Sequence, residues 1–357
     1  MSHGKRFGAP AALAAIVFSV FLFSCSDDME GVFYSLEIEE KAADNSLPNA
    51  LAVSGDIIKV TAGGGITEDR YYIGAGSVFY RAASGGAWAR IPPPFRGGMV
   101  AGIARAGSDI FVAVSDGSRH GLFKLDAAGT AYVPGSLYSD KQIQRLMSVN
   151  DTLFAAVGSQ QGLNRDLLYW DGAALVSTGL SGHTVEAGAW DGTAYWFVGK
   201  NVFRYTGGPG NGSSTPYSHS ELSGKTGFSD IFADAGTVYI CTSGGDILKT
   251  PDSGVNWTSH YYSRNFTSIA KVTSGGESII ILGEDGDGVF ELTDRTGNDV
   301  AAGIQQPGGN FRKLPDLYRS TVLRLLGDGT QLLAGTSSVG AWRGDYTIPD
   351  YPVWSQE

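Results

Sequence analysis

Cationic and aromatic side chains return along this chain at intervals that could assemble one binding surface. Arg96 follows Phe95, Tyr138 precedes Lys141, His183 stands alone, and Lys225 precedes Phe228; Tyr262 lies beside Arg264, and Tyr318 beside Arg319. Guanidinium and ammonium groups next to aromatic rings suit an anionic or peptide ligand, because charge-assisted hydrogen bonds hold the charge while ring faces stack on flat surfaces. The expected binding residues are therefore Arg96, Tyr138, His183, Lys225, Tyr262, Arg264, Tyr318 and Arg319, with an envelope protein, a peptide or an anionic glycan as partner. The recurrence stands out in a chain of net charge −10, a balance that argues against a nucleic-acid partner.

Other chemistry is thinner. His120, His183, His219 and His260 are too scattered for a zinc site, and no cofactor or metal is expected. Glu284, Asp285 and Asp287 could offer oxygen ligands to calcium, but they span far less than an EF-hand loop and read better as a solvated hairpin turn. Gly63-Gly64-Gly65 lacks the Gly-Lys-Ser/Thr ending of a phosphate loop. Cys241 follows Val238-Tyr239-Ile240 and reads as a buried small hydrophobe. No carboxylate pair is set by spacing, so no catalytic residue is assigned.

The first residues read as an address. Lys5 and Arg6 precede an almost wholly apolar run over residues 9–24, shorter than a membrane-spanning helix, which stops at Cys25. Leu22-Phe23-Ser24-Cys25 resembles the lipobox of bacterial lipoproteins, with Phe23 bulkier than usual at its position. The resemblance implies a signal peptide over 1–24, an acylated Cys25 as membrane anchor, and a tether over 25–31. The absence of an acidic residue directly after Cys25 resembles an outer-membrane sorting signal, and Ser26-Asp27-Asp28 resembles a short surface-export tag. The expected location is the cell envelope, at the outer membrane.

The elements that must position the candidate residues are strands. Gly numbers 51 and aromatics reach 11% of the 357 residues, a composition of short strands joined by tight turns. One pattern, an aliphatic residue, a large apolar one, then often a polar one, recurs at Val78-Phe79-Tyr80, Leu122-Phe123-Lys124, Leu168-Tyr169-Trp170, Val202-Phe203-Arg204, Ile247-Leu248-Lys249, Val289-Phe290-Glu291 and Ala341-Trp342-Arg343. The spacing, about 44 residues on average, is the length of a four-stranded propeller blade. Each copy follows a more fully apolar run, at 57–60, 110–113, 153–156, 194–197, 238–241, 279–282 and 332–334, suited to a strand buried on both faces.

The chain is therefore expected to be all-β, a seven-bladed β-propeller over residues 32–357 with four antiparallel strands, a to d, per blade. Residues 87–91, 256–260 and 311–314 are expected as outer strands. Residues 62–76 read as a long b-to-c insertion on the face of the d-to-a loops. Either residues 32–39 or the strand ending at Trp354 is expected to close the ring by pairing with the opposite terminus, because an open ring leaves sheet edges exposed.

Thr250-Pro251-Asp252-Ser253-Gly254-Val255-Asn256-Trp257 resembles the Asp-box of BNR-repeat propellers at all four defining positions, Thr250, Asp252, Gly254 and Trp257, whose role there is to shape a hairpin. The chain thus resembles lipoproteins carrying BNR-like propellers, including those similar to photosystem assembly factors, and the resemblance implies a binding module without enzymatic activity. Sialidases share the motif, and Arg90-Ile91-Pro92 resembles their N-terminal signature, but it falls where other blades have an ordinary outer-strand ending. A carbohydrate-active enzyme, hydrolase or lyase, is the runner-up, and a purely structural envelope lipoprotein is the third reading.

Overall fold

The computed structural model describes residues 52–53, 56–158, 166–293, 299–308, 311–348 and 352–357. Seven antiparallel sheets follow one another along the chain. Blade 1 holds β1 (Ile57–Val60), β2 (Arg70–Ala75), β3 (Ser77–Ala82) and β4 (Ala89–Ile91); blade 2 holds β5 (Met99–Ala106), β6 (Asp109–Ser115) and β7 (His120–Lys124). Blade 3 holds β8 (Ile143–Val149), β9 (Thr152–Val157), β10 (Asp166–Trp170) and β11 (Leu175–Ser181); blade 4 holds β12 (Val185–Trp190), β13 (Ala194–Gly199) and β14 (Val202–Thr206). Blade 5 holds β15 (Phe228–Asp234), β16 (Thr237–Thr242), β17 (Asp246–Thr250) and β18 (Thr258–Tyr261); blade 6 holds β19 (Phe266–Ser274), β20 (Glu277–Glu284), β21 (Gly288–Leu292) and β22 (Ile304–Gln305). Blade 7 holds β23 (Val322–Asp328), β24 (Gln331–Thr336), β25 (Ala341–Asp345) and β26 (Val353–Gln356). This is a seven-bladed propeller on a four-strand plan.

In two blades the outer strand is reduced. Residues 132 and 138 form isolated bridges to Leu125 and Leu122 beside β7, and a single bond from Tyr217 N to Val202 O (2.8 Å) takes that place beside β14.

The core lies between blades. Second strands such as β13 are buried along their whole length, because both faces meet a neighbouring sheet. Apolar clusters join consecutive blades: Tyr72 and Val78 pack with Ile103 and Val112, Phe111 with Leu146, and Phe154 with Phe197. Trp196 packs with Ile240 and Trp257, Cys241 with Phe266 and Leu282, and Ile281 with Val322 and Leu332.

One local device repeats. Six innermost strands carry a register shift near their start, at Val100/Gly102, Ile143/Arg145, Val185/Ala187, Phe228/Asp230, Phe266/Ser268 and Val322/Arg324. The residue before each bulge is buried, and the bulge re-aims those after it, as bulges do.

Three expectations are corrected. Residues 57–60 form the innermost strand, and β2, which is buried except at Arg70, is the second strand inside the supposed insertion. Its apolar run is short and lies between charged and glycine-rich residues, which hid it. The remaining loop, 61–69, joins β1 to β2 and therefore lies on the opposite face from the one expected. In blade 6 the outer strand is β22, while Phe311–Lys313 forms a 3₁₀ turn.

Ring closure also differs. All strands of blades 1 and 7 are consecutive in the chain, so no strand is exchanged between the ends among the described residues; residues 32–39 lie outside them. Side chains close this seam instead. Lys59 pairs with Asp328 (2.8 Å), Tyr71 donates to the same carboxylate (2.6 Å), and Val53 N donates to Thr336 O (2.9 Å). Arg81, stacked on Trp88, pairs with Glu357 at 2.6 Å, and the two side chains are only 6% and 5% exposed.

Neutralising one member of such a buried pair leaves the other charge uncompensated, at a cost of about 3–5 kcal/mol. Glu357→Gln is accordingly expected to lose stability of that order in urea denaturation, and an unchanged midpoint would exclude the pair as a ring latch.

Candidate functional site

The d-to-a loops and b-to-c turns share one face of the ring, and all eight sequence-predicted binding residues sit in or beside the d-to-a loops. Their environments divide them. Arg96 and Arg319 are exposed, and Tyr318 is 37% exposed with its ring edge against Phe311. Tyr138 packs into the seam of blades 2 and 3, where burial foremost raises its phenol pKa. Tyr262 lies against the cluster between blades 5 and 6 and donates to Val300 O at 2.6 Å. His183 leans on Phe203 at 4.8 Å.

The cations of this face mostly have partners on the following blade. Lys141 pairs with Asp166 (2.6 Å), Lys225 with Asp246, and Arg264 with Glu284 (2.6 Å) and Asp287 (3.3 Å). In each case a d-to-a loop is tied to the b-to-c turn of the blade it enters. The Glu284–Asp287 turn is thus engaged: Thr321 Oγ1 donates to Asp285 at 2.6 Å, and the Arg264 guanidinium lies 4.0 Å from the centre of the Phe290 ring. Among the described residues no group of three or more His, Cys, Asp or Glu is placed to hold a metal ion.

Below this face, where the innermost strands converge, lies a charged layer that sequence reasoning missed. Asp56 Oδ1 bridges Arg145 (2.8 Å) of blade 3 and Arg324 (2.9 Å) of blade 7. Arg145 Nε also donates to Glu186 O of blade 4 at 2.8 Å. Asp230 of blade 5 accepts from Ile231 N (2.9 Å) and Ile269 N (3.0 Å). Burial is the largest influence on both remaining partners, raising the Asp230 carboxyl and lowering the Arg324 guanidinium. The centre of the ring is therefore crossed by ion pairs at this depth.

Arg145, Asp230 and Arg324 each stand just after the bulge of their strand, and Asp56 precedes Ile57 as Arg145 precedes Leu146. Aligning innermost strands on their bulges is the signal that would have found the layer. Asp56 and Asp230 are both committed to partners, so neither is left as an unengaged acid or base.

Outside that layer, the Thr250–Trp257 turn is a hydrogen-bonded knot on the opposite face. Thr250 Oγ1 donates to Asp252 Oδ1 and accepts from Gly254 N (both 2.8 Å), and Asn256 N donates to Asp252 Oδ1 (2.8 Å). The Asn256 amides are the first of the donors that hold the Asp252 carboxyl below its usual pKa. Gly254 has φ +97°, and a Cβ there would meet Trp196 and Tyr217 at 2.8 Å. Trp257 Nε1 donates to Gly254 O at 3.1 Å. Every one of these groups shapes the turn and the seam between blades 4 and 5.

The same ring architecture recurs among solved structures. A chain of the Mitotic Checkpoint Complex matches with TM-score 0.59 at 13% identity, over 84% of this chain and 93% of that one. The WD40 β-propeller domain of Doa1 matches with TM-score 0.58 at 11% identity, over 87% and 95%. A catalytically inactive virginiamycin B lyase from Staphylococcus aureus with quinupristin matches with TM-score 0.54 at 14% identity, over 83% and 96%. At such identities the likeness is one of fold. No family model and no curated protein sequence matches the chain.

The raised Asp230 pKa carries a sign. Folding disfavours the carboxylate, so this group contributes a penalty that grows as pH rises from the unfolded carboxyl value near 3.8 through the folded one. Asp230→Asn is expected to gain stability relative to the wild type as pH climbs through that window, read from denaturation midpoints between pH 3.5 and 8. A difference independent of pH would refute the assignment.

Proposed function

We propose that this chain is a lipid-anchored module of the bacterial cell envelope that binds a partner protein with the face carrying its d-to-a loops. One observation carries the reading. The centre of the ring is crossed by the Asp56 ion pairs, whereas the face above exposes Met99 (64%), Tyr261 (62%), Leu137 (42%) and Tyr318 (37%) together with Arg96 and Arg319. Exposed aromatic and arginine side chains on a rigid platform are the residue types that anchor protein interfaces. The carboxylates paired with Lys141, Lys225 and Arg264 lower the positive charge available to an anionic glycan, which favours a protein over that ligand.

The membrane half of the proposal rests on Lys5, Arg6, the apolar run over 9–24 and Cys25, all outside the described residues. The Thr250–Trp257 turn, whose bonding suits an Asp-box, supports kinship with BNR-like propellers as a structural feature only. That a propeller chain is part of the Mitotic Checkpoint Complex illustrates what such a scaffold can do, without assigning that partner here.

Two experiments test the halves separately. Cys25→Ala expressed in a bacterial host is expected to leave the membrane fraction and lose labelling by a palmitate analogue; unchanged membrane recovery and labelling would refute the anchor. In crosslinking capture from native cells, Arg96→Glu combined with Arg319→Glu is expected to lose at least tenfold of the protein captured by the wild type, with an unchanged melting temperature. Equal capture would place the interface elsewhere.

A further inference from the structure

Blade 6 carries an open cleft of about 450 Å³ on the d-to-a face, within the roughly 300–1,000 Å³ of small-ligand sites. Arg264, Asp287, Phe290, Ile304, Gln306 and Tyr318 are among the residues that line it. The Arg264 guanidinium lies over the Phe290 ring, and its hydrogen bonds to Glu284 and Asp287 are made through Nη1. Nε and Nη2 have no partner among the described residues, although the side chain is 32% exposed. Asp287 Oδ1 is likewise unpaired there, and so is the Gln306 amide.

The cleft therefore places unspent planar donors beside an unspent carboxylate acceptor, with the partly exposed Tyr318 ring in the same lining. A hydroxyl can donate to Asp287 while accepting from Arg264, and two adjacent hydroxyls can use both groups at once. Anionic ligands fare worse, because Glu284 and Asp287 together outweigh the single Arg264 charge. A cationic ligand leaves the Arg264 donors without an acceptor. A neutral polyol satisfies both, and the apolar C–H face of a pyranose can lie on the Tyr318 ring.

We propose that this cleft is a binding site for a neutral saccharide, with Arg264 and Asp287 gripping adjacent hydroxyls and Tyr318 stacking on the sugar face. The site goes beyond the protein-docking reading and does not depend on it.

The test is saturation-transfer difference NMR on the full chain in detergent, titrated with neutral hexasaccharides of glucose, mannose and xylose, and with sialyllactose and oligogalacturonate. At least one neutral oligomer is expected to bind, with every acidic one at least tenfold weaker. Asp287→Asn and Tyr318→Ala, each checked for an unchanged melting temperature, are expected to weaken it at least tenfold, whereas Arg96→Glu binds as the wild type does. No neutral binding, equal binding of an acidic oligomer, or full affinity in both cleft variants would overturn the proposal. Loss of partner capture in Arg96→Glu, Arg319→Glu with saccharide binding intact in Arg96→Glu would separate this site from the protein interface.

Discussion

Each sheet in this molecule is apolar on both faces, and only its two neighbours can cover it. β13 shows the requirement at its plainest: Trp196 and Val198 pack toward blade 5 while Tyr195 and Phe197 pack toward blade 3. A stack of such sheets leaves two apolar faces bare unless it closes on itself, and closing it yields a ring. The loops on one face are brought to a common plane, and residues hundreds of positions apart meet at the centre.

Polar chemistry then stabilises the places where apolar packing cannot decide geometry. The seam between blades 7 and 1 joins the ends of the described ring without sharing a strand, and Lys59, Tyr71, Arg81, Asp328 and Glu357 converge on it. On the loop face, Lys141, Lys225 and Arg264 each tie a loop to the next blade. The Lys141–Asp166 pair is exposed to water, where an ion pair contributes little stability, so its effect is on position: it holds its loop in register with the turn beside it. Arg96 and Arg319, by contrast, are exposed and have no such ion pair among the described residues.

How much of this was legible in the residues depends on how far apart the interacting groups lie. Second strands and third strands were readable because their burial on both faces writes an unbroken apolar run, as at Val238-Tyr239-Ile240-Cys241. β2 was not, because Arg70, Gly74 and the glycines before it break up a run whose burial depends on blade 2 and Asp328. The outer strand of blade 6 was misplaced for a related reason. An edge strand needs only a ladder on one side, so Ile304–Gln305 carries almost no pattern of its own.

The amino-acid sequence by itself determined the all-β class, the count of seven repeats and the face on which the loop cations gather, since each is written in local composition or in a period. Tertiary structure alone decided which of those cations are already paired. It also decided that Asp56, Arg145, Asp230 and Arg324 form one layer, and that Arg264 and Asp287 share a cleft with Tyr318. The physical reason is that a charge carries no mark of its partner. Only closure of the ring sets the distance across which Coulomb attraction and desolvation act.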